Sequence, residues 1–320
     1  MNASSAVSSN QTVLPVSPQW GYEMVLNAIC STLALFFNTV VVVVFSVRPE
    51  LRTTFTIYLT ALLTSDALMS IHGCLTIIKQ LYPVYMRNVV LCDFRLYIAW
   101  VMIGVPLNIH VLITVNRIWA IAFPLSYRSY HSSRLALILV VVTIAYVHVI
   151  ALPGVIMNAL YFRRPLSSSS CSLNLGKMTT WYQMVQIVIY EFPVVFMIVA
   201  WMYLMYRQRK QQNTIHAITH AATIVDHSME TRSGKKPHRR KYTKGFLVFS
   251  VLTLSAFICW TPYETIYTLW AFFDIHEAAN RRIIDVSLAL YLVQPVLDPI
   301  LIMITMDDLR ATIKQMLRCK

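Results

Sequence analysis

The chain is short of charge. Of its 320 residues only 13 % are Asp, Glu, Lys or Arg, whereas 57 % are hydrophobic; a soluble globular chain carries roughly 25 % charged residues. That shortage excludes a soluble protein, which could not cover its core with polar surface. It equally excludes a disordered chain, which needs the opposite balance. Glycine is scarce too, with seven residues, and this argues against a transporter, a class that breaks its helices with Gly and Pro near the midplane. Acidic residues are outnumbered 14 to 27 by Lys and Arg, a net charge of +13. In a soluble protein that excess would suggest nucleic acid; among long apolar runs, no nucleic-acid partner is expected. Residues 1–20 are polar and Ser-rich, without a basic start and an apolar stretch. A cleavable signal peptide is therefore not expected, and the first hydrophobic helix should act as its own insertion signal. Enzyme signatures are missing as well: no zinc-binding His/Glu spacing, no Gly-x-Ser-x-Gly elbow and no phosphate loop. What remains is a polytopic membrane protein that is not an enzyme.

A membrane-crossing helix needs about 20 largely apolar residues. Seven stretches qualify, at 22–47, 54–81, 91–123, 134–160, 180–207, 245–273 and 283–306. No alternating ten-residue pattern suggests a barrel, so the expected fold is an all-α bundle of seven membrane helices. Residues 1–21 form an amino-terminal segment, 22–306 the bundle with a third loop at about 208–244, and 307–320 a short helix and tail.

Lys and Arg set the orientation. The segments joining spans one to two, three to four and five to six, together with the tail, hold 19 of the 27; Arg117 at the end of span three is counted with them. That side belongs in the cytoplasm, which leaves the amino terminus of this multi-pass protein outside. Two glycosylation sequons agree, Asn2-Ala3-Ser4 and Asn10-Gln11-Thr12, usable only on the lumenal side. Cys92 and Cys171 fall on the same oxidising side and are expected to form a disulfide rather than stay free thiols. Cys30, Cys74 and Cys259 lie inside spans and read as small core residues.

Several motifs occur in order along the spans. Asn38 lies in span one and Leu62-Leu63-Thr64-Ser65-Asp66 in span two. Cys92 precedes Arg117 by 25 residues, and Asn116-Arg117-Ile118 is followed by Pro124-Leu125. Pro193 marks span five, Cys259-Trp260-Thr261-Pro262 span six, and Asp298-Pro299-Ile300-Leu301-Ile302 span seven. From Tyr22 to Lys320 the chain resembles the rhodopsin-like (class A) G-protein-coupled receptors. The resemblance implies the plasma membrane as location, an extracellular ligand bound within the bundle and a heterotrimeric G protein and arrestin as inner partners. It also implies an activation switch carried by Asn116, Arg117, Trp260, Pro262, Asp298 and Pro299.

Departures from the family pattern are specific. Asn116 replaces the acid beside the arginine, and Tyr242 stands where many members carry its partner acid. Span four has no Trp, and Trp201 and Ile302 replace tyrosines. Ala256 replaces a phenylalanine, and Pro106 a small polar residue beside the sodium site. Without carboxylates to hold Arg117, the inactive state is expected to be weakly latched and basal signalling raised. The same departures motivate an alternative, an atypical receptor that binds ligand without activating G protein. A transporter or channel is a second alternative, but no internal repeat or broken helix pair supports it.

Asp66 and Asp298 are mid-membrane acids, a functional hypothesis by default. The resemblance places them together, with Asn38 and Gln294 nearby. Two carboxylates in a low-dielectric core either share a proton or bind a cation, here sodium near Asp66. Higher in span six, Trp260, Tyr263, Glu264 and Tyr267 recur at i, i+3, i+4 and i+7, one helical stripe. Glu264 would be costly facing lipid, so the stripe should face the interior, and Pro262 supplies a hinge below it. A ligand cavity is expected above Trp260, which should sense its occupancy from below, with Ala99, Trp100, Ile103 and Tyr291 also among the ligand-binding residues. Ala99 occupies the position of the amine-binding acid of aminergic receptors, and no Lys occurs between Lys244 and Lys314 for a retinal Schiff base. Glu264 implies a ligand amine or guanidinium, in a peptide or a small cation-bearing molecule. Whether Glu191, two residues before Pro193, faces this cavity is left open.

Beyond span seven, Leu309, Ile313 and Leu317 repeat at i, i+4 and i+8 as an interfacial amphipathic helix begun by Asp307 and Asp308. Cys319 follows as a palmitoylation site or a free thiol. The basic run from Lys235 to Lys241 is expected to meet anionic membrane lipids or an acidic G-protein surface.

Overall fold

A computed structural model describes residues 21–166, 171–225, 237–273 and 281–318. The glycosylation sequons at Asn2 and Asn10, the segment before residue 21 and Cys319 lie outside them. Nine helices follow in chain order among the described residues. They are α1 (Tyr22–Val47), α2 (Thr54–Leu81), α3 (Val89–Ala122), α4 (Pro124–Tyr130) and α5 (Ser133–Phe162). After these come α6 (Thr179–Lys210, helical on to Val225), α7 (Pro237–Phe273), α8 (Arg281–Thr305) and α9 (Asp307–Arg318). All except α4 and α9 are long and apolar enough to cross a membrane. These are the seven expected spans, and no strand occurs among the described residues.

Local sequence sets the helix starts. At α2 the Thr53 hydroxyl accepts from the Thr56 amide while Thr56 Oγ1 accepts from the Thr53 amide, a reciprocal cap. Asn88 caps α3 and Ser132 caps α5 through the amides of Leu91 and Leu135. Pro124 opens α4, where its missing N–H costs nothing. The helices α6 and α7 extend beyond the apolar stretches, to Val225 and from Pro237, so helix occupies much of 208–244.

The centre of the bundle is α3, with 72 % of its apolar window buried against 22 % for α5. On α5 Leu137, Ile138, Val141, Val142 and Val149 are exposed, as a lipid-facing surface should be. Cys74 also lies exposed on α2, unlike buried Cys30 and Cys259. This corrects its reading as a core residue, since its position on the helix turns it outward. Close approach needs glycine at two places. A Cβ on Gly154 would lie 2.0 Å from Trp181 Cε2, and one on Gly73 1.8 Å from Ser31 Oγ.

Prolines in the spans free carbonyls one turn back, and two of these are satisfied by buried asparagines. Pro299 leaves the Pro295 carbonyl without its helical donor, and Asn38 Nδ2 donates to it at 2.8 Å. Pro193 does the same to Ile189, whose carbonyl accepts from Asn108 Nδ2 at 3.1 Å. Asn38 and Asn108 thereby pin α1 to α8 and α3 to α6. Three π-helical turns add irregularity, at Ile98–Met102, Asn158–Phe162 and Gln186–Glu191. Cys92 and Cys171 form the expected disulfide, their Cα atoms 5.6 Å apart, tying the loop before α6 to the start of α3.

Candidate functional site

A cavity of about 450 Å³ opens inside the bundle at the disulfide end. Two of the π-helical turns border it. The turn at Ile98–Met102 brings Ala99 and Trp100 to the wall, followed by Ile103, and the turn at Gln186–Glu191 brings Gln186. Each π turn rotates the residues beyond it about the helix axis, and such turns often mark functional sites. From α7 the wall takes Tyr263, Glu264 and Tyr267, and from α8 Tyr291. The span-six stripe therefore faces the interior.

Its side chains hold one another. The Tyr263 ring stacks on Tyr291 with centroids 4.5 Å apart, and the Tyr263 hydroxyl donates to Tyr267 Oη at 3.1 Å. Glu264 is buried and accepts from Gln186 Nε2 at 3.1 Å, which also reaches Thr268 Oγ1 at 3.2 Å. Thr268 in turn donates to Glu191. Glu191 is thus bound to α7 and is not among the cavity-lining residues. The protein partner of Glu264 is a neutral amide, and no cationic side chain pairs with it among the described residues.

Trp260, expected beneath the cavity as a sensor of occupancy and also among the ligand-contacting residues, is set back from the open space. It is buried at 2 % exposure and is not among the residues lining the cavity. Tyr263, one turn nearer the disulfide end on the same helix, does line it. Below, Trp260 meets the ring of His110 edge-on, with centroids 5.4 Å apart.

His110 was not expected at all. Its Nε2 lies 3.1 Å from Asp298 Oδ2, with both side chains buried. Gln294 Nε2 donates to Asp298 Oδ1 at 2.7 Å. Asp66 is fully buried, and neither of its oxygens finds a donor among the described residues. Its carboxyl interacts side chain to side chain with that of Asp298, a contact that becomes a hydrogen bond only when one acid holds a proton. A continuous chain results: Trp260, His110, Asp298, Asp66. His110 stands seven residues before Arg117, two turns along the same face of the most buried span. An ionisable side chain at that depth was the available signal.

Sodium fits the residues present. The two oxygens of Asp66, Asn38 Oδ1 and Gln294 Oε1 are buried and without hydrogen-bond partners among the described residues, and hard oxygens of this kind suit a hard cation.

At the opposite end of the bundle the Arg117 guanidinium lies 3.4 Å from the centroid of the Phe55 ring. No carboxylate pairs with it among the described residues. Asn116 beside it is buried, and neither of its side-chain polar atoms has a hydrogen-bond partner among the described residues. An aromatic cluster lies alongside: His131 Nε2 is 2.9 Å from Tyr58 Oη and stacks on Tyr127 at 4.3 Å, with Trp119 edge-on at 5.6 Å. Burial, then the charge of Arg117, lowers the His131 pKa from its ordinary 6.5.

Comparison with known proteins decides the family. Residues 37–301 match the family described as "7 transmembrane receptor (rhodopsin family)". The chain belongs to that family. Among individually curated proteins, none matches it. The receptor therefore carries its family's architecture, with a histidine beside Asp298 and Arg117 held on an aromatic ring. At the far end α9 packs Leu309 fully buried and Ile313 against the core, while the Leu317 side chain lies outside the described residues. Side chains of the basic run from Lys235 to Lys241 also fall outside them.

Proposed function

We propose that the receptor sits in the plasma membrane with its amino terminus outside, binds an extracellular ligand in the cavity at Glu264, and activates a heterotrimeric G protein. The observation that carries this reading is a line of aromatic and polar side chains leading inward from the cavity, with the Tyr263–Tyr291 stack one helical turn above the Trp260–His110–Asp298 contacts. Tyr263 and Tyr291 line the cavity, and Trp260, His110 and Asp298 touch one another in turn below. A ligand seated above Tyr263 can favour one arrangement of α7 because Pro262 leaves that helix hinged just below. The effect is bounded by the ligand's differential affinity for the two arrangements. At the inner end, release of Arg117 from Phe55 frees the guanidinium to meet the G protein.

Glu264 supplies the acceptor for a ligand amine or guanidinium, and Gln186 orients its carboxylate. Sodium, held by Asp66 with the carbonyl oxygens of Asn38 and Gln294, would neutralise the buried acid between α2 and α8. Arrestin and anionic lipids are the remaining partners of this reading, the lipids meeting α9 and the basic run before α7. The test is nucleotide exchange by a panel of purified G proteins with the receptor in lipid nanodiscs. Exchange above that of receptor-free discs is expected. Exchange equal to that of empty discs for every G protein would leave a receptor that binds ligand without activating them, the reading favoured by buried Ile302 and Asn116.

A further inference from the structure

The cavity is electrically lopsided. Away from Glu264 its wall is formed by Lys79 in the last turn of α2, His72 two turns earlier and Arg95 near the start of α3. These three groups lie within electrostatic range of one another. Neutralising partners are missing among the described residues. Lys79 makes no hydrogen bond or ion pair there. Asp93, two residues before Arg95, is committed to Arg163. Glu23 lines the same cavity but forms no ion pair with either base. Two half-buried cations facing each other repel, and burial removes the water that would screen them.

Arg95 is also aimed. Its Nη1 donates to the Cys171 carbonyl at 3.2 Å, on the loop that the disulfide ties to α3 three residues before Arg95 itself. That anchor uses one corner of the guanidinium, while its Nε is buried without a partner. A planar fork held at one corner presents its other N–H groups in a geometry matched to a carboxylate or phosphate.

We propose that Lys79 and Arg95 form an anion-binding subsite, and that the receptor's ligand is an amphoteric small molecule. Its carboxylate or phosphate sits between Lys79 and Arg95, and its hydrogen-bond donor reaches Glu264. This rests on the reading of the cavity as the ligand site. The volume suits such a molecule, since small-molecule sites span about 300–1,000 Å³, and Trp100, Tyr263 and Tyr291 add aromatic surface to the same cavity.

The test uses the purified full-length receptor in nanodiscs of neutral lipid and four matched probes: 2-naphthoate, 2-naphthyl phosphate, 2-naphthylmethylammonium and uncharged 2-naphthamide. Binding is read by thermophoresis. One or both anions should bind about tenfold tighter than the amide, the scale of a charge-assisted hydrogen bond, and the preferred anion identifies carboxylate or phosphate as the natural group. Lys79→Gln should abolish that preference with amide binding unchanged. Lys79→Glu should invert it, so that the ammonium binds tighter than either anion, an outcome that misfolding cannot produce. Anions binding no tighter than the amide, including no binding by any probe, would overturn the proposal, as would an unaltered preference in Lys79→Gln. No G protein is present, so loss of nucleotide exchange with anion selectivity intact defeats only the coupling reading. Exchange without anion selectivity defeats only the subsite.

Discussion

Replacing His110 by Phe removes the ring nitrogen that partners Asp298 while keeping an aromatic edge for Trp260. Asp298 is fully buried, so no water can take over the vacated position. Its Oδ1 keeps the Gln294 amide, but Oδ2 is left facing a nonpolar ring with the Asp66 carboxyl already alongside. Breaking one side of a buried ionic or charge-assisted pair costs about 3–5 kcal/mol. For a chain of this size each kcal/mol lowers the melting temperature by roughly 2 °C. His110→Phe should therefore melt about 6–10 °C below the parent receptor. The second step of the cycle isolates the pair. Asp298→Asn retains an oxygen for Gln294 and removes the charge, so the double variant His110→Phe, Asp298→Asn should recover most of the lost stability. The assay is thermal unfolding of detergent-purified receptor followed by intrinsic tryptophan fluorescence. A His110→Phe variant melting with the parent, or a double variant as unstable as the sum of the singles, would refute the pairing.

Truncating Phe55 to Ala removes the ring under Arg117, an interaction worth about 0.5–2 kcal/mol. Ligand-free nucleotide exchange should then rise about 2- to 30-fold, at 1.36 kcal/mol per tenfold; an unchanged basal rate would show that Phe55 does not restrain the arginine. Asn38→Ala orphans the Pro295 carbonyl and should cost about 1–3 kcal/mol, read as a lower melting temperature, whereas a neutral effect would mean that another donor replaces it. His131 is held below its ordinary 6.5 by burial and by Arg117, so the unfolded chain binds the extra proton first. Its contribution is fully present above pH 6.5 and shrinks as pH falls below that value. Between pH 7.5 and 5, buffers chosen to bracket that value, the parent should lose more thermal stability than His131→Phe; parallel losses would place the sensitivity elsewhere.

Much of the architecture was legible because hydropathy and helix length are local quantities. The apolar stretches at 22–47 and 54–81 coincide with α1 and α2, and the pairing of Cys92 with Cys171 followed from the side on which both fall. The span-six stripe was legible for the same reason: helical periodicity puts Tyr263, Glu264 and Tyr267 on one face, and the charge on Glu264 picks the inward direction. That Trp260 itself stays off the cavity wall was not, because periodicity assigns a face but no depth; Tyr263 and Tyr291, stacked across two helices, line the cavity and buried Trp260 does not. Arg117 shows the converse limit. Missing carboxylates were visible along the chain, whereas the Phe55 ring that takes their place comes from the neighbouring helix α2.

By itself the sequence determined seven crossings, their apolar faces and the kinds of side chain available at each level, because the cost of exposing backbone and charge to lipid is paid residue by residue. Only the tertiary structure decided which of those side chains meet. Asn38 and Asn108 reach carbonyls freed by prolines on other helices, and His110 reaches an acid 188 residues away. Lys79 and Arg95, which line the same cavity within electrostatic range of each other, are likewise brought together by the packing of α2 against α3. Such meetings depend on where π turns rotate a helix and where glycines let two backbones close up, and neither is encoded in the spacing of residues along one chain segment.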